Sequence, residues 1–431
     1  MAVTSSGDGN FSSVIAGGLS VNDDVIIDHD VTLDGDAPNV NSLTINPSKT
    51  FTGGGNTVTI DDKDGSAYSF RARNGSTISG TLNIKVTGNG GYIRDSATGS
   101  INNLEVDLGS SSEVHYLDTA LSLAGNLTIT EGIFNTNASS NHALTVAGGI
   151  KNTGTLTANA STIIITGEIA GFAFDQMGTF NAGTSTIQIG DGSTSTVGSS
   201  THFKSNNCHN LIINQHIDAP NGNVAWRAYT GTELTIGGNL TITRGRFYRN
   251  TSTQDLTVTG DVDIASVGKL GTEAASGSNT FGSLTINSGG TYQATSGTTT
   301  ITSETSGGFA IDNDGTFTHN NGTVTFTFAD TTKISLVGNS LYNVIVNDSS
   351  AAVEYIGDTT IDNDLTVTAG KFRYNNFHDL TVTGDVSVTG ILGHTNVDTT
   401  SDSTFGSLTI NSGGTYNAPS GTTTITDETS G

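Results

Sequence analysis

The sequence predicts an all-β protein, an elongated β-solenoid (parallel β-helix) built from degenerate repeats. Three observations predict it. The composition favours strands over helices, short tracts alternate apolar and hydroxylated residues, and those tracts recur in a fixed order along the chain.

Of 431 residues, 56 are Gly and roughly 70 are Thr, while charged residues make up 13%. Typical shares are about 7% Gly and about 25% charged. Gly shows no three-residue period, which excludes collagen. β-Branched residues are too abundant for a charged disordered tail. The good helix formers are displaced by Thr, Val, Ile, Ser and Asn, and no helical 3.6-residue stripe of useful length is present.

From the N-terminus, Met1 to Asn10 carries no basic region and no apolar core, so no secretory signal is expected. No apolar run approaches the ~20 residues that span a bilayer. Repeats then organise the chain. Residues 256–307 recur at 380–431 with 32 of 52 positions identical, marked by Leu284-Thr285-Ile286-Asn287 and Leu408-Thr409-Ile410-Asn411. An older copy stands at Leu43-Thr44-Ile45-Asn46. Asn126-Leu127-Thr128-Ile129, Asn239-Leu240-Thr241-Ile242 and Asp364-Leu365-Thr366-Val367 form a second series. Asn103-Leu104, Asn210-Leu211 and Asn343-Val344 open a third. The sequence therefore divides into lead-in coils 1–66, a partial unit 67–120, repeat units 121–237 and 238–362, and a partial unit 363–431. The last copy breaks off in mid-repeat at Glu428-Thr429-Ser430-Gly431, so a longer natural protein is expected.

Leu-Thr-Ile-Thr alternates at period two, giving one buried face and one Thr row. Gly-Asp, Ser-Gly-Gly and Asn-Gly supply turns, because they accept φ > 0. A string of tandem β-sandwich domains is the alternative, and it fits the repeat length. The solenoid is preferred because the strands are very short, aromatics are only 6%, linkers are missing, and similar strands recur inside each unit at Leu240, Leu256, Leu270 and Leu284. Coils of roughly 20–25 residues are expected, with Asn and Thr forming hydrogen-bond ladders between them.

Charge excludes some partners. Sixteen basic residues face forty acidic ones, a net charge of −24. Nucleic acid and anionic membranes need a basic footprint, so neither nucleic-acid binding nor membrane insertion is expected. The single Cys208 rules out an internal disulfide and reads as a small buried residue.

The opening GNFSS, then Asp23-Asp24-Val25-Ile26-Ile27, Val31 to Asp36 and Ser42 to Asn46, with the later SLTINSGGTY and SGTTTIT tracts, resembles β-helical repeat proteins of marine bacteriophage virions and of bacterial cell surfaces. The resemblance covers essentially the whole chain and implies a fibre, spike or adhesin role. It carries over no catalytic residue.

Three sets of residues are candidates for contact. A basic and aromatic cluster holds Arg244, Arg246, Phe247, Tyr248 and Arg249, with Trp226, Arg227 and Tyr229 upstream and Lys371, Phe372, Arg373 and Tyr374 in the next unit. Aromatic faces stack on sugars and Arg forks bind carboxylates, so this is a glycan-binding or subunit-contact strip; the plainer reading is core-edge packing. Asp-rich turns at Asp34-Gly35-Asp36, Asp61-Asp62-Lys63-Asp64 and Asp312-Asn313-Asp314-Gly315 raise Ca2+, which needs six to eight oxygen ligands, but side-chain bonds to the turn backbone explain them as well. His202, His209 and His216 alternate faces on a strand and do not form a metal set with Cys208.

The expectation is a structural virion appendage, a fibre or spike segment that projects a host-surface recognition element, with no enzymatic activity and no cofactor. A bacterial cell-surface adhesin or extracellular filament subunit is the alternative, and a glycan-degrading spike the third. Partners would be other virion proteins or copies of the chain itself, as in a homotrimer, and a host-surface glycan.

Overall fold

The computed structural model describes residues 1–15, 19–62, 68–88, 90–193, 201–215, 223–271, 275–328, 330–374, 377–393 and 400–427. The chain is 55% strand and 1% helix and winds as a β-solenoid of about 17 turns. Every pairing between the strands named below is parallel. Sandwich sheets are antiparallel, so the tandem-sandwich alternative is set aside. Two compact units are formed, one over Met1–His209 and one from Asn210 onward.

In the first unit each coil contributes short strands to three columns. One column holds Ala2–Thr4, Asp24–Ile27, Ser42–Ile45, Phe70–Ala72, Gly91–Asp95, Val114–Leu117, Ile133–Asn135, Thr155–Thr157 and Thr179–Asn181. A second runs from Ala37–Val40 through Thr57–Ile60, Asn83–Val86, Leu104–Asp107, Leu127–Glu131 and Ile150–Asn152 to Phe172–Gln176 and Thr201–Lys204. The third includes Leu121–Leu123, Leu144–Val146, Thr162–Ile165 and Thr186–Ile189. Leu104 lies opposite Leu127 and Leu127 opposite Ile150, so a coil here is 23 residues long. Alternate residues point inward and stack on their equivalents. Leu127, Ile129, Ile150, Phe174, Ile163 and Ile187 are all fully buried, each contributing roughly 1.5–3 kcal/mol.

One element carries no signal in the sequence. Residues Phe11–Val14 form a single helical turn with Phe11 and Val14 buried, and the Phe11 and Phe51 rings lie 6.2 Å apart. In chain order this turn stands where the first strand of the second column would be, so that column begins one coil later, at Ala37–Val40. Four residues are too few to display a helical period.

The second unit repeats the pattern with longer strands. Leu240–Arg249, Asn343–Tyr355 and Leu365–Tyr374 each span two sides of a coil, and Asp255–Leu270 spans three. They bend at glycines. Gly245 has φ +84°, and a Cβ on Gly268, its partner in register, would lie 2.3 Å from the Ile242 carbonyl oxygen. Two residues after each such corner comes an inward side chain: Phe247, Leu270, Tyr292 and Phe317 in one run, Phe372 and Leu392 in the next. Gly132, Gly154 and Gly178 do the same for Phe134, Leu156 and Phe180 in the first unit. Much of the Gly excess is this corner.

The recurring Asn or Asp before each Leu-Thr tract has a physical role. Its side-chain oxygen accepts an amide hydrogen bond from the next coil. Asn103 Oδ1 takes the Asn126 N–H at 2.8 Å and Asn126 Oδ1 takes that of Gly149 at 2.9 Å. Asn239 serves Asp261 at 3.0 Å and Asp364 serves Asp385 at 2.9 Å. These are the expected ladders, and they join coils at corners where the strand pairing is interrupted.

Candidate contact surfaces

The basic and aromatic cluster seen in sequence does not assemble as one outer strip. Phe247 and Phe372 are fully buried, and Trp226 and Tyr374 are 1% and 3% exposed. They are the inward residues of the Gly-corner motif and of its flanking strands, so they offer no ring face to a ligand. Period two explains the split: Arg246 and Tyr248 point outward on either side of Phe247, as Lys371 and Arg373 do around Phe372. The Arg246 guanidinium lies 5.1 Å from the Tyr248 ring centre and donates to the Gly271 carbonyl at 2.9 Å. Arg373 is paired with Glu354, directly opposite it on the neighbouring strand. Arg227 is half-buried and Tyr229 is exposed.

Arg249 turns inward and is 5% exposed. Its guanidinium sits 6.0 Å from the Trp226 ring and donates to the carbonyls of Gln254 and Ser278 and to Asn279 Oδ1. Asn279 Nδ2 donates to the Tyr292 hydroxyl at 2.7 Å, which meets Thr299 Oγ1 at 2.9 Å. Burial holds the Arg249 pKa below its ordinary value. This is an internal lock across several coils.

Two of the Asp-rich turns bond to backbone amides. Asp34 accepts from the amide and hydroxyl of Ser12, whereas Asp36 accepts from the Thr57 amide at 2.8 Å, so the two carboxylates are engaged by different stretches of chain. Asn313 is fully buried, donating to the Leu336 carbonyl and accepting from the Gly315 amide. Lys63 and Asp64 lie outside the described residues, as does His216. Among the described residues no group of three or more His, Cys, Asp or Glu could hold a metal ion. His202 packs on Phe172, with ring centres 5.2 Å apart. Cys208 is buried, which raises its thiol pKa.

A buried trio in the first unit has the residue types of a hydrolase. Asp62, Ser69 and His115 are each fully buried. Ser69 Oγ donates to Asp62 Oδ2 at 3.1 Å and meets His115 Nε2 at 2.6 Å. His115 lies opposite Gly91, which has no side chain, so the imidazole reaches across to the coil beyond. Burial pushes its pKa down to about 4, leaving it neutral at pH 7. No part of the trio reaches solvent, so it packs the interior.

The exposed aromatic and basic cluster is elsewhere, on the outer face of the first unit's first column. Tyr92 and Tyr116 are opposite in register and stack with ring centres 5.5 Å apart and planes at 28°. Tyr68 continues the column at 6.2 Å from Tyr92. Arg71 and Arg94 are also opposite in register, and both guanidiniums lie over the Tyr68 ring, at 4.7 and 5.0 Å. Arg94 forms an ion pair with Asp118, while Arg71 has no carboxylate partner among the described residues. A signal was present in the sequence: Tyr68, Tyr92 and Tyr116 are spaced by 24 residues, one coil apart. Only a known coil length turns that interval into a column.

Compared with known proteins, the chain matches no family model, no curated protein and no solved structure.

Proposed function

We propose that the chain is a structural segment of a bacteriophage fibre or spike, which holds a recognition element toward a host surface. The observation that supports this reading is the amide ladder through Asn103 and Asn126, and again through Asn239 and Asp364, which ties a coil to the next outside the strands at these four corners. In a stack of coils each repeat touches only its neighbours, so resistance to bending and fraying rests on such coil-to-coil bonds. The acidic surface, at −24, opposes non-specific sticking. The resemblance to phage β-helical repeat proteins supplies the virion setting, with other virion proteins or further copies of the chain as neighbours.

Immunogold electron microscopy with antibody against the chain tests it. Gold on the appendages of purified phage particles is the expected result. Gold on the bacterial envelope would support the adhesin instead, and gold confined to the cytoplasm would overturn both.

A further inference from the structure

We infer that the outer face formed by Tyr68, Arg71, Tyr92, Arg94 and Tyr116 binds an acidic polysaccharide, a chain of uronate units lying along the coil stack. The inference names a ligand class for a face that the appendage reading leaves unassigned.

Charge placement is the first argument. Arg71 and Arg94 occupy directly opposed positions on paired strands. Like charges placed so repel each other. The protein has 16 basic residues against 40 acidic ones, yet two of the sixteen are neighbours here, and among the described residues only Arg94 has a carboxylate partner, Asp118. The residues above and below are uncharged: Thr44 lies opposite Arg71 on one side, and Asn135 lies opposite Tyr116 on the other. A patch of net positive charge is thus held on a strongly acidic molecule.

Ring geometry narrows the ligand. Tyr92 and Tyr116 stack, Tyr68 is tilted at 57° to Tyr92, and the guanidiniums cover the Tyr68 ring. What faces outward is ring edges and hydroxyls. Aromatic edges are the positive part of the ring quadrupole. None of the three hydroxyls has a hydrogen-bond partner among the described residues. The face offers donors and positive edges, which is the complement of carboxylate and sugar oxygens. Single-stranded nucleic acid needs open ring faces for its bases, and its phosphates are opposed by the overall charge. Successive tyrosines are one coil apart, ~4.8 Å, close to the length of one sugar unit, so a linear polymer meets the column in step.

Isothermal titration of the full chain with polygalacturonate, with neutral amylose and oligothymidylate as comparisons, tests this. Polygalacturonate alone should bind, and binding should weaken as salt rises. Arg71→Gln should weaken it about tenfold, the loss of one charge-assisted hydrogen bond, and Tyr92→Phe by less. Both variants should keep the parent's circular dichroism melting curve, and Arg71→Lys should recover part of the affinity. Equal binding of amylose, preference for oligothymidylate, or no binding of polygalacturonate would overturn the inference. So would an Arg71→Gln effect that sedimentation traces to lost self-association, since the face would then belong to a second copy. The titration does not depend on where the protein resides, so it and the gold labelling fail independently.

Discussion

The second unit contains two versions of one sequence, 256–307 and 380–427, and the structure treats them differently. In the first, Leu284, Ile286 and Ile301 are fully buried, because Phe309–Asn313 lies on Ser283–Ile286 with Leu284 opposite Ile311. In the second, the equivalent Ile410 and Ile425 are 50% and 48% exposed, and no described strand lies beyond them. Yet the strands themselves form alike. Tyr292 meets Thr299 at 2.9 Å, and Tyr416 meets Thr423 at 2.9 Å. Identical residues thus give identical local structure, while burial belongs to the neighbouring coil. The interiors differ too. Arg249, with Asn279, locks the first copy, whereas Tyr374 and Ser403 stand in their places in the second.

The largest expected effect breaks this comparison directly. Ile286→Ala should cost about 2–5 kcal/mol, the range for a buried aliphatic. Ile410→Ala, in the same local sequence, should cost roughly 0.5 kcal/mol. Urea unfolding followed by circular dichroism measures both. Equal losses would mean that Ile410 is covered in solution, by a further coil, by a second copy or by another protein.

The second effect concerns the lock. Arg249→Tyr imports the second copy's residue and leaves the Gln254 and Ser278 carbonyls without their donor. A loss of about 1–3 kcal/mol is expected for stranded buried groups. Adding Asn279→Ser should return part of it, because the substitutions share one network. Strict additivity in a double-mutant cycle would show that the two residues act separately.

The third effect should be the same in both copies. Asn239→Ala and Asp364→Ala each remove one amide acceptor at equivalent corners and should each cost about 1 kcal/mol. Hydrogen exchange should quicken at the amides of Asp261 and Asp385 in the respective variants. Unchanged protection there would remove the ladders from the account of coil cohesion.

The fold was largely legible because its signals are local and repeated. Leu127, Thr128 and Ile129 announce a half-buried strand by themselves, and the return of Asn-Leu-Thr-Ile announces the next coil. The helical turn at Phe11–Val14 escaped, since one turn has no period. The contact surface was read less well. Phe247 was legible as an aromatic beside arginines, but which side it takes depends on register, and a one-residue step reverses inside and outside. Tyr68, Tyr92 and Tyr116 gave no local signal at all, each standing alone in its own stretch of sequence.

By itself, then, the sequence determined the all-β character, the short alternating strands, the glycine corners and the Asn or Asp before each tract, because these follow from backbone preferences and side-chain period within a few residues. The tertiary structure decided what spans coils: the tyrosine column with its opposed arginines, the inward turn of Arg249 onto Trp226, and the exposure of Ile410 where Ile286 is buried. Contacts between residues a full coil apart depend on the exact length of every intervening corner, and only the wound chain fixes that length.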